Sequence, residues 1–123
     1  EGPRGVKDLV AVCRTFNLGV AMHSGAEFGI ELAAMLHTAS TIPQMNMPGD
    51  AHYHYLEDDI IEGGLMKYED GSIKVPEGPG LGVSLDEDKM KFYEKYYEKH
   101  GDYYARFHQD PYRPDWYPIV GGI

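Results

Sequence analysis

The segment VAMHSGAEFGIELAAMLHTAS, residues 20–40, decides the fold, because a short apolar run leads directly into a helical pattern. Residues 20–22 are too few for a helix and are typical of a buried strand. Over residues 26–39 the apolar side chains recur at helical spacing, which predicts an amphipathic helix. The polar break between the two elements, residues 23–25, lies where the predicted strand ends.

The sequence on either side extends this order. Residues 3–17 form another helical pattern, and Gly19 is a natural end for it because glycine tolerates a positive φ. The order of helix, strand, helix and loop predicts parallel α/β structure, in which functional side chains gather where strands end. HYHYLEDD, residues 52–59, follows the run at residues 45–47, and we interpret it as a second strand end.

The second half of the chain has a different character. Asp70 and Gly71 lie between two short runs, a pattern that predicts a tight hairpin. Residues 76–86 are rich in glycine and proline and predict an irregular extended segment. Asp86 can cap a helix that runs to about residue 100. The aromatic residues and prolines of residues 102–123 indicate a strap that packs on other protein.

Composition restricts the function classes. The chain has 123 residues and a formal net charge of −9, which argues against binding to nucleic acid, where Lys and Arg must neutralise phosphates. No apolar run is long enough to cross a membrane, and no signal-peptide pattern opens the chain. The single cysteine, Cys13, cannot form an internal disulfide. We therefore expect a cytoplasmic protein without nucleic-acid or membrane partners.

Several side chains are candidates for chemistry. His23 follows the predicted strand directly, and its imidazole can act as a general base or acid, or can simply cap the next helix. His52 and His54 would share one face of a strand and, with Glu57, could bind a divalent metal as in a cupin. The alternative for residues 57–59 is a solvated acidic face. Arg106 could bind a carboxylate, or hold the tail by a cation–π contact.

The predicted elements leave the sheet incomplete. A parallel sheet needs both faces covered, and two strands are marginal by themselves. The pattern therefore indicates part of a larger sheet. Exposed sheet edges also leave open a non-catalytic assembly module that associates with further copies of itself.

Three runs of the sequence resemble a known family. VAMHSGAEFGIELAAMLHTAST, DAHYHYLEDD and VPEGPGLGVSLDEDKM are similar to the C-terminal part of the enolase superfamily, especially to glucarate dehydratase-like acid-sugar dehydratases of the mandelate racemase subgroup. The resemblance implies an α/β fold, the C-terminal portion of a modified (β/α)7β TIM-type barrel. Residues 1–62 would supply the last barrel units with strands seven and eight. Residues 63–123 would form a hairpin, a C-terminal helix and an extended tail on a capping domain.

The resemblance also implies a reaction and a set of residues. In the family, a proton alpha to a carboxylate is removed, the β-hydroxyl is lost, and an essential Mg²⁺ stabilises the enediolate. His23 matches the catalytic histidine of strand seven. Gly25 stands where glucarate dehydratase has an asparagine. The substrate-binding positions implied by the resemblance are Ser24, Gly25, His52 and Arg106, with Asp50 and Glu57 as further candidates.

The same resemblance implies what lies outside the chain. The family's metal ligands and its Lys-x-Lys base lie on other strands, so we expect Mg²⁺ to have no ligand here and the chain alone to be inactive. The expected partners are a sugar diacid or related acid sugar, the missing capping domain and barrel strands, and further copies in an oligomer. The alternatives are a small cupin-like metal-binding protein and the assembly module.

Overall fold

The computed structural model describes residues 2–25, 27–43 and 45–100. In chain order these ranges contain α1 (Gly2–Thr15), α2 (Gly29–Ser40), a 3-10 helix (His52–Tyr55) and α3 (Glu87–His100). The chain divides into two compact units, Glu1–Glu87 and Asp88–Ile123. Our division at residues 62 and 63 follows barrel anatomy and stays a prediction. No helix within the described ranges has the length and apolar character needed to cross a bilayer.

Helix α1 confirms the pattern predicted for residues 3–17 and ends on a left-handed residue. Asn17 has φ 55°, and the Leu18 N–H donates to the Cys13 carbonyl at 2.9 Å. A left-handed residue at this position closes a helix by satisfying its last carbonyls, and asparagine tolerates that conformation better than most residues. The left-handed residue is therefore Asn17, two positions before the glycine that the sequence suggested.

The core of the first unit is small. Val10 of α1 is buried, and α1 contacts α2, which buries Leu32 and Ala33. Three apolar side chains along α1 and just beyond its end nevertheless remain 55–71% exposed: Leu9, Val12 and Phe16. An apolar row of this kind on one helix is normally covered by further protein. The packing thus fits a domain whose remaining layers lie outside these residues.

The two predicted strands meet at one point. A parallel bridge joins His23 to Asp50, with the Asp50 N–H donating to the Met22 carbonyl at 2.8 Å and the Ser24 N–H donating to the Asp50 carbonyl at 3.0 Å. The parallel direction agrees with the α/β order of the sequence. Within the described residues the pairing does not extend into a ladder, so the full strands stay a prediction.

The interpretation of residues 52–55 as a strand is wrong. These residues form the 3-10 helix His52–Tyr55, and the Leu56 N–H donates to the Tyr53 carbonyl at 3.1 Å. In such a helix successive side chains point about a third of a turn apart instead of alternating. His52 and His54 therefore do not share a strand face, and alternation of His with Tyr was a misleading signal.

The predicted hairpin turn is confirmed. Glu69 and Ser72 exchange backbone hydrogen bonds of 2.8 and 2.9 Å, and Lys74 forms a 2.9 Å ion pair with Glu69. Asp70 and Gly71 have φ values of 50° and 76°, the two positive values that define a type I′ turn. The Asp-Gly pair thus supplies the residues that the turn needs.

The glycine- and proline-rich segment is held by backbone pairing. Ile61 forms an antiparallel bridge with Leu85, and the Asp86 N–H donates to the Ile60 carbonyl at 2.8 Å. The His37 imidazole of α2 hydrogen-bonds the Leu81 carbonyl at 3.1 Å, so the segment also contacts α2. Its predicted irregular course is confirmed.

Helix α3, in the second unit, confirms the helix predicted after Asp86. Phe92, Tyr96 and His100 stand at i, i+4 and i+8, with ring centroids 6.4 and 4.4 Å apart. Side chains four residues apart meet on one helix face, so these three rings form one aromatic row. The tail over residues 102–123 lies outside the described residues.

Replacing Gly71 with Ala should destabilise the turn, because an L side chain disfavours the left-handed conformation by roughly 1–2 kcal/mol. We expect the free energy of unfolding to fall by about 1 kcal/mol, measured by urea titration of the far-ultraviolet circular dichroism. Gly25→Ala is the matched control, since a Cβ at Gly25 would meet nothing within 4 Å and its φ is not positive. Equal losses for both variants would contradict the turn assignment.

Candidate active site

His23 and Asp50 form the centre of the candidate site. The parallel bridge brings these residues together, and the His23 Nδ1 lies 3.0 Å from the Asp50 Oδ2. Because a carboxylate can only accept, the Nδ1–H of His23 donates and its Nε2 remains available. Both side chains are about two-thirds exposed. The Nε2 of His23 can therefore reach a molecule bound at this edge of the chain.

His52 completes a group of two imidazoles around one carboxylate. Its Nε2 lies 4.0 Å from the other oxygen of Asp50, and its ring stands edge-on to the His23 ring with centroids 5.6 Å apart. The His52 Nδ1 lies 2.9 Å from the Ser24 carbonyl, which can only accept. The tautomer of neutral His52 thus carries its proton on Nδ1, leaving Nε2 as an acceptor near Asp50.

Ser24 and Glu27 shape the loop between the bridge and α2. The Ser24 hydroxyl donates to the Glu27 carboxylate, which is 4% exposed. The Glu27 Oε1 is buried without a hydrogen-bond partner among the described residues. Burial, and then the Glu27 carboxylate, raise the pKa of Tyr68, so that hydroxyl stays protonated well above neutral pH.

The structure separates the remaining candidates. Gly25 is exposed beside the group, with room for a side chain. Glu57 is exposed and, within the described ranges, forms no hydrogen bond or ion pair with His23, Asp50 or His52. Arg106 lies outside the described residues, so its role stays a prediction.

His54 borders a cleft. Its ring contacts those of Tyr55 and Tyr68 at centroid distances of 4.0 and 6.5 Å. The cleft has a volume of about 470 Å³ and is bordered by His54, Tyr68, Asp50, and apolar side chains of α2. Among the described residues, His52, His54 and Glu57 do not come together as a group of metal ligands, which argues against the cupin-like site.

The sequence reasoning missed a buried pair behind the site. Asp59 and Tyr53 are 0% and 1% exposed, and the Tyr53 hydroxyl donates to the Asp59 carboxylate. A solvated acidic face is thus the wrong description of Asp59, although Glu57 is exposed as expected. The available signal was the pair of isoleucines directly after Asp59, since a carboxylate beside an apolar run can be drawn into the core.

Potential metal ligands do not form a cluster of three in the described residues. Within residues 2–25, 27–43 and 45–100, no three His, Cys, Asp or Glu side chains come together as metal ligands. Mg²⁺ requires near-octahedral oxygen ligands. Asp50, the carboxylate at the centre of the group, is already engaged with His23.

Comparison with known proteins supports one family. A sequence model described as Enolase C-terminal domain-like matches residues 1–89. A Streptomyces coelicolor protein named Probable glucarate dehydratase is 43% identical over 91 residues, which cover 74% of this chain and 21% of that protein. The chain therefore belongs to the Enolase C-terminal domain-like family, and this membership excludes the cupin alternative.

Solved structures agree with this membership. An isomerase from Streptomyces coelicolor A3(2) is 45% identical with a TM-score of 0.78, covering 83% of this chain and 27% of the other. An enolase from Pseudomonas fluorescens Pf0-1, with bound magnesium, potassium and tartrate, is 36% identical with a TM-score of 0.83, covering 94% and 28%. The chain thus spans about a quarter of the length of these relatives.

The stability of the fold should fall at alkaline pH through Tyr53. Burial, and next the hydrogen bond to Asp59, raise the pKa of Tyr53 above its ordinary value near 10. A raised pKa in the folded state means that the stabilisation is complete below about pH 10 and is lost as pH rises further. Urea titrations at about pH 8 and about pH 11 should show this loss, and Tyr53→Phe should reduce it.

Tyr97→Phe is the control for this experiment, because Tyr97 is 62% exposed and its removal should leave the alkaline loss as it was. A Tyr53→Phe variant with the same alkaline loss as the unsubstituted chain would show that the Tyr53 phenol does not cause it.

Proposed function

We propose that this chain supplies the histidine edge of the active site of an acid-sugar dehydratase that depends on Mg²⁺. The support is the parallel bridge between His23 and Asp50, with the His52 ring 5.6 Å from that of His23, in a member of the enolase superfamily. Similarity to a protein named Probable glucarate dehydratase favours a sugar diacid or related acid sugar as substrate. Residues outside this chain would hold the metal, complete the barrel and form the capping domain.

In this proposal His23 moves the proton. Asp50 accepts from Nδ1, which orients the ring. The Nε2 can then remove a proton alpha to the substrate carboxylate, or return one to the leaving hydroxyl. Both steps need an imidazole that exchanges one proton near neutral pH. The pair is exposed in this chain, so its electrostatic coupling would strengthen only when the rest of the barrel excludes water.

His52 and Ser24 would bind the substrate beside His23. With its Nδ1–H donated to the Ser24 carbonyl, the neutral His52 ring offers Nε2 as an acceptor for a sugar hydroxyl. Its position 5.6 Å from the His23 ring suits contact with a neighbouring carbon of the same substrate. Gly25 leaves open space next to this group, and we assign it to substrate choice. Arg106 keeps its proposed role as a ligand of the distal carboxylate.

One observation favours an assembly role as well. The exposed apolar row of α1 must be covered when the protein works, whether by the remaining barrel or by a second chain. Supplying the rest of a barrel as a separate chain distinguishes the two roles. Turnover would support the catalytic role, whereas an assembly module would restore none.

The decisive experiment places this chain in a dehydratase of measured activity, in exchange for the matching segment. We expect the chimera to convert at least one acid sugar to a keto-deoxy acid in the presence of Mg²⁺. His23→Gln should lower kcat by about 10²- to 10⁴-fold, the usual contribution of a general acid or base. Asp50→Asn should cost less, because the amide oxygen can still accept from His23.

Two results would contradict the proposal. One is a folded chimera that forms no keto acid from any aldaric or aldonic acid although its host is active. The other is a His23→Gln chimera that turns over as fast as the unsubstituted one. Asp70→Asn, an exposed change in the turn, is the charge-matched control for Asp50→Asn.

The chain alone should be inactive. Without the metal and the barrel, the enediolate has no charge stabilisation, and the barrier rises by several kcal/mol. Incubation of the purified chain with Mg²⁺ and the substrate of the active chimera should yield no keto acid. Adding the remainder of the host barrel as a separate chain should restore turnover. Activity of the chain by itself would contradict this prediction.

A further inference from the structure

A buried carboxylate lies behind the candidate site. Asp59 is fully buried, and its two oxygens each lie 3.0 Å from the Gly29 N–H, while one of them accepts from the Ile60 N–H at 2.6 Å. The Tyr53 hydroxyl also donates to this carboxylate and accepts from the Met66 N–H at 2.9 Å. The carboxylate thus has three donors, drawn from three separate parts of the chain.

Asp59 caps α2 from 30 residues away. The residue at the N-cap position is Phe28, which makes no side-chain cap. A Ser, Thr, Asp or Asn at that position would satisfy the helix locally and would not require a carboxylate to leave water. The distant cap therefore does something that a local cap would not, since it ties the start of α2 to the segment after the 3-10 helix.

Gly29 makes this contact possible. A Cβ at Gly29 would lie 2.5 Å from the Asp59 Oδ2 and 2.7 Å from the Ile61 Cδ1. Contacts below 3.0 Å force one of the partners to move. The close approach of the α2 backbone to the carboxylate is therefore built on the absence of a side chain at this residue.

The two tied segments carry the proposed catalytic group. Residues 23–28 run from His23 to the start of α2, and residues 50–59 run from Asp50 to the buried carboxylate. They are joined near the site by the hydrogen bond from His52 to the Ser24 carbonyl, and at the far end by Asp59 and Gly29. Tyr53 follows His52 directly in the chain, is 1% exposed and donates a hydrogen bond to Asp59. The backbone next to His52 is therefore held in place.

We propose that Asp59 is a positioning residue, which through Gly29 and Tyr53 holds His52 in register with the Ser24 carbonyl and so beside His23. For catalysis this inference rests on the proposed function, but its structural part does not. In Asp59→Asn, only one side-chain oxygen remains to accept from Gly29 and Tyr53, and it is a weaker acceptor than a carboxylate oxygen. The amide NH₂ would face one of these donors. The backbone bridge between His23 and Asp50 still joins the two segments, but their far ends are no longer held together, and His52 loses its fixed hydrogen bond.

The first test needs no activity. In the unsubstituted chain, two-bond ¹H–¹⁵N spectra of the imidazoles should show His52 as the Nδ1–H tautomer, because the Ser24 carbonyl accepts from it. Asp59→Asn should abolish this signature while circular dichroism still reports helices. Asp70→Asn removes one exposed charge and should leave it intact. A folded Asp59→Asn chain with an unchanged His52 tautomer would overturn the inference.

Tyr53→Phe decides the matter if Asp59→Asn does not fold. It keeps the ring in the core and removes only the hydroxyl between Asp59 and the Met66 N–H. A weakened His52 signature in the folded variant supports the inference, and an unchanged one overturns it.

The second test uses the active chimera. Asp59→Asn should lower kcat/KM by about 10- to 100-fold, as small misplacements of a catalytic group do, although Asp59 does not touch the substrate. Normal turnover by this variant would overturn the catalytic part of the inference. A chimera that is inactive without any substitution refutes the proposed function instead, and the tautomer measurement then decides whether Asp59 positions His52.

Discussion

The backbone pairing between residues 22–24 and Asp50 is the constraint on which the rest of the structure depends. Two hydrogen bonds of 2.8 and 3.0 Å bring together segments separated by 27 positions in the chain, and they do so in the parallel direction. Parallel pairing places the ends of both segments at the same edge. One carboxylate thereby comes between two imidazoles, and every proposed chemical step starts from that arrangement.

Incomplete burial explains why this edge belongs to something larger. Leu9 and Val12 of the first helix are exposed although Val10 is buried, and the pairing stops after a single bridge within the described residues. A parallel sheet with uncovered faces buries less apolar surface than one that is covered on both faces. The relatives are about three to three and a half times as long, and their remaining length is where we expect the missing strands, the metal ligands and the cap.

The two carboxylates at and behind the candidate site differ in burial and in the contacts they make. Asp50 is exposed and orients an imidazole, whereas Asp59 is buried and joins two backbone segments. A buried carboxylate is costly to desolvate unless donors surround it, and here the backbone of Gly29 and the Tyr53 hydroxyl supply them. In our proposal this network holds the proposed catalytic group in place. Within the acidic run at residues 57–59, Glu57 is therefore exposed, whereas Asp59 is buried and structural.

The sequence alone indicated the three α-helices and the Asp-Gly turn, because helical periodicity and turn chemistry are local properties. It also singled out His23 at the end of an apolar run, and the role of that residue stays a prediction. It also determined the family, through the runs around His23 and His52. Only the tertiary structure decided that His52–Tyr55 is a 3-10 helix, that Asp50 pairs with His23, and that Asp59 is buried beneath them. These features depend on which distant donor meets which acceptor. An alternation of His and Tyr along the sequence does not indicate which of these contacts form.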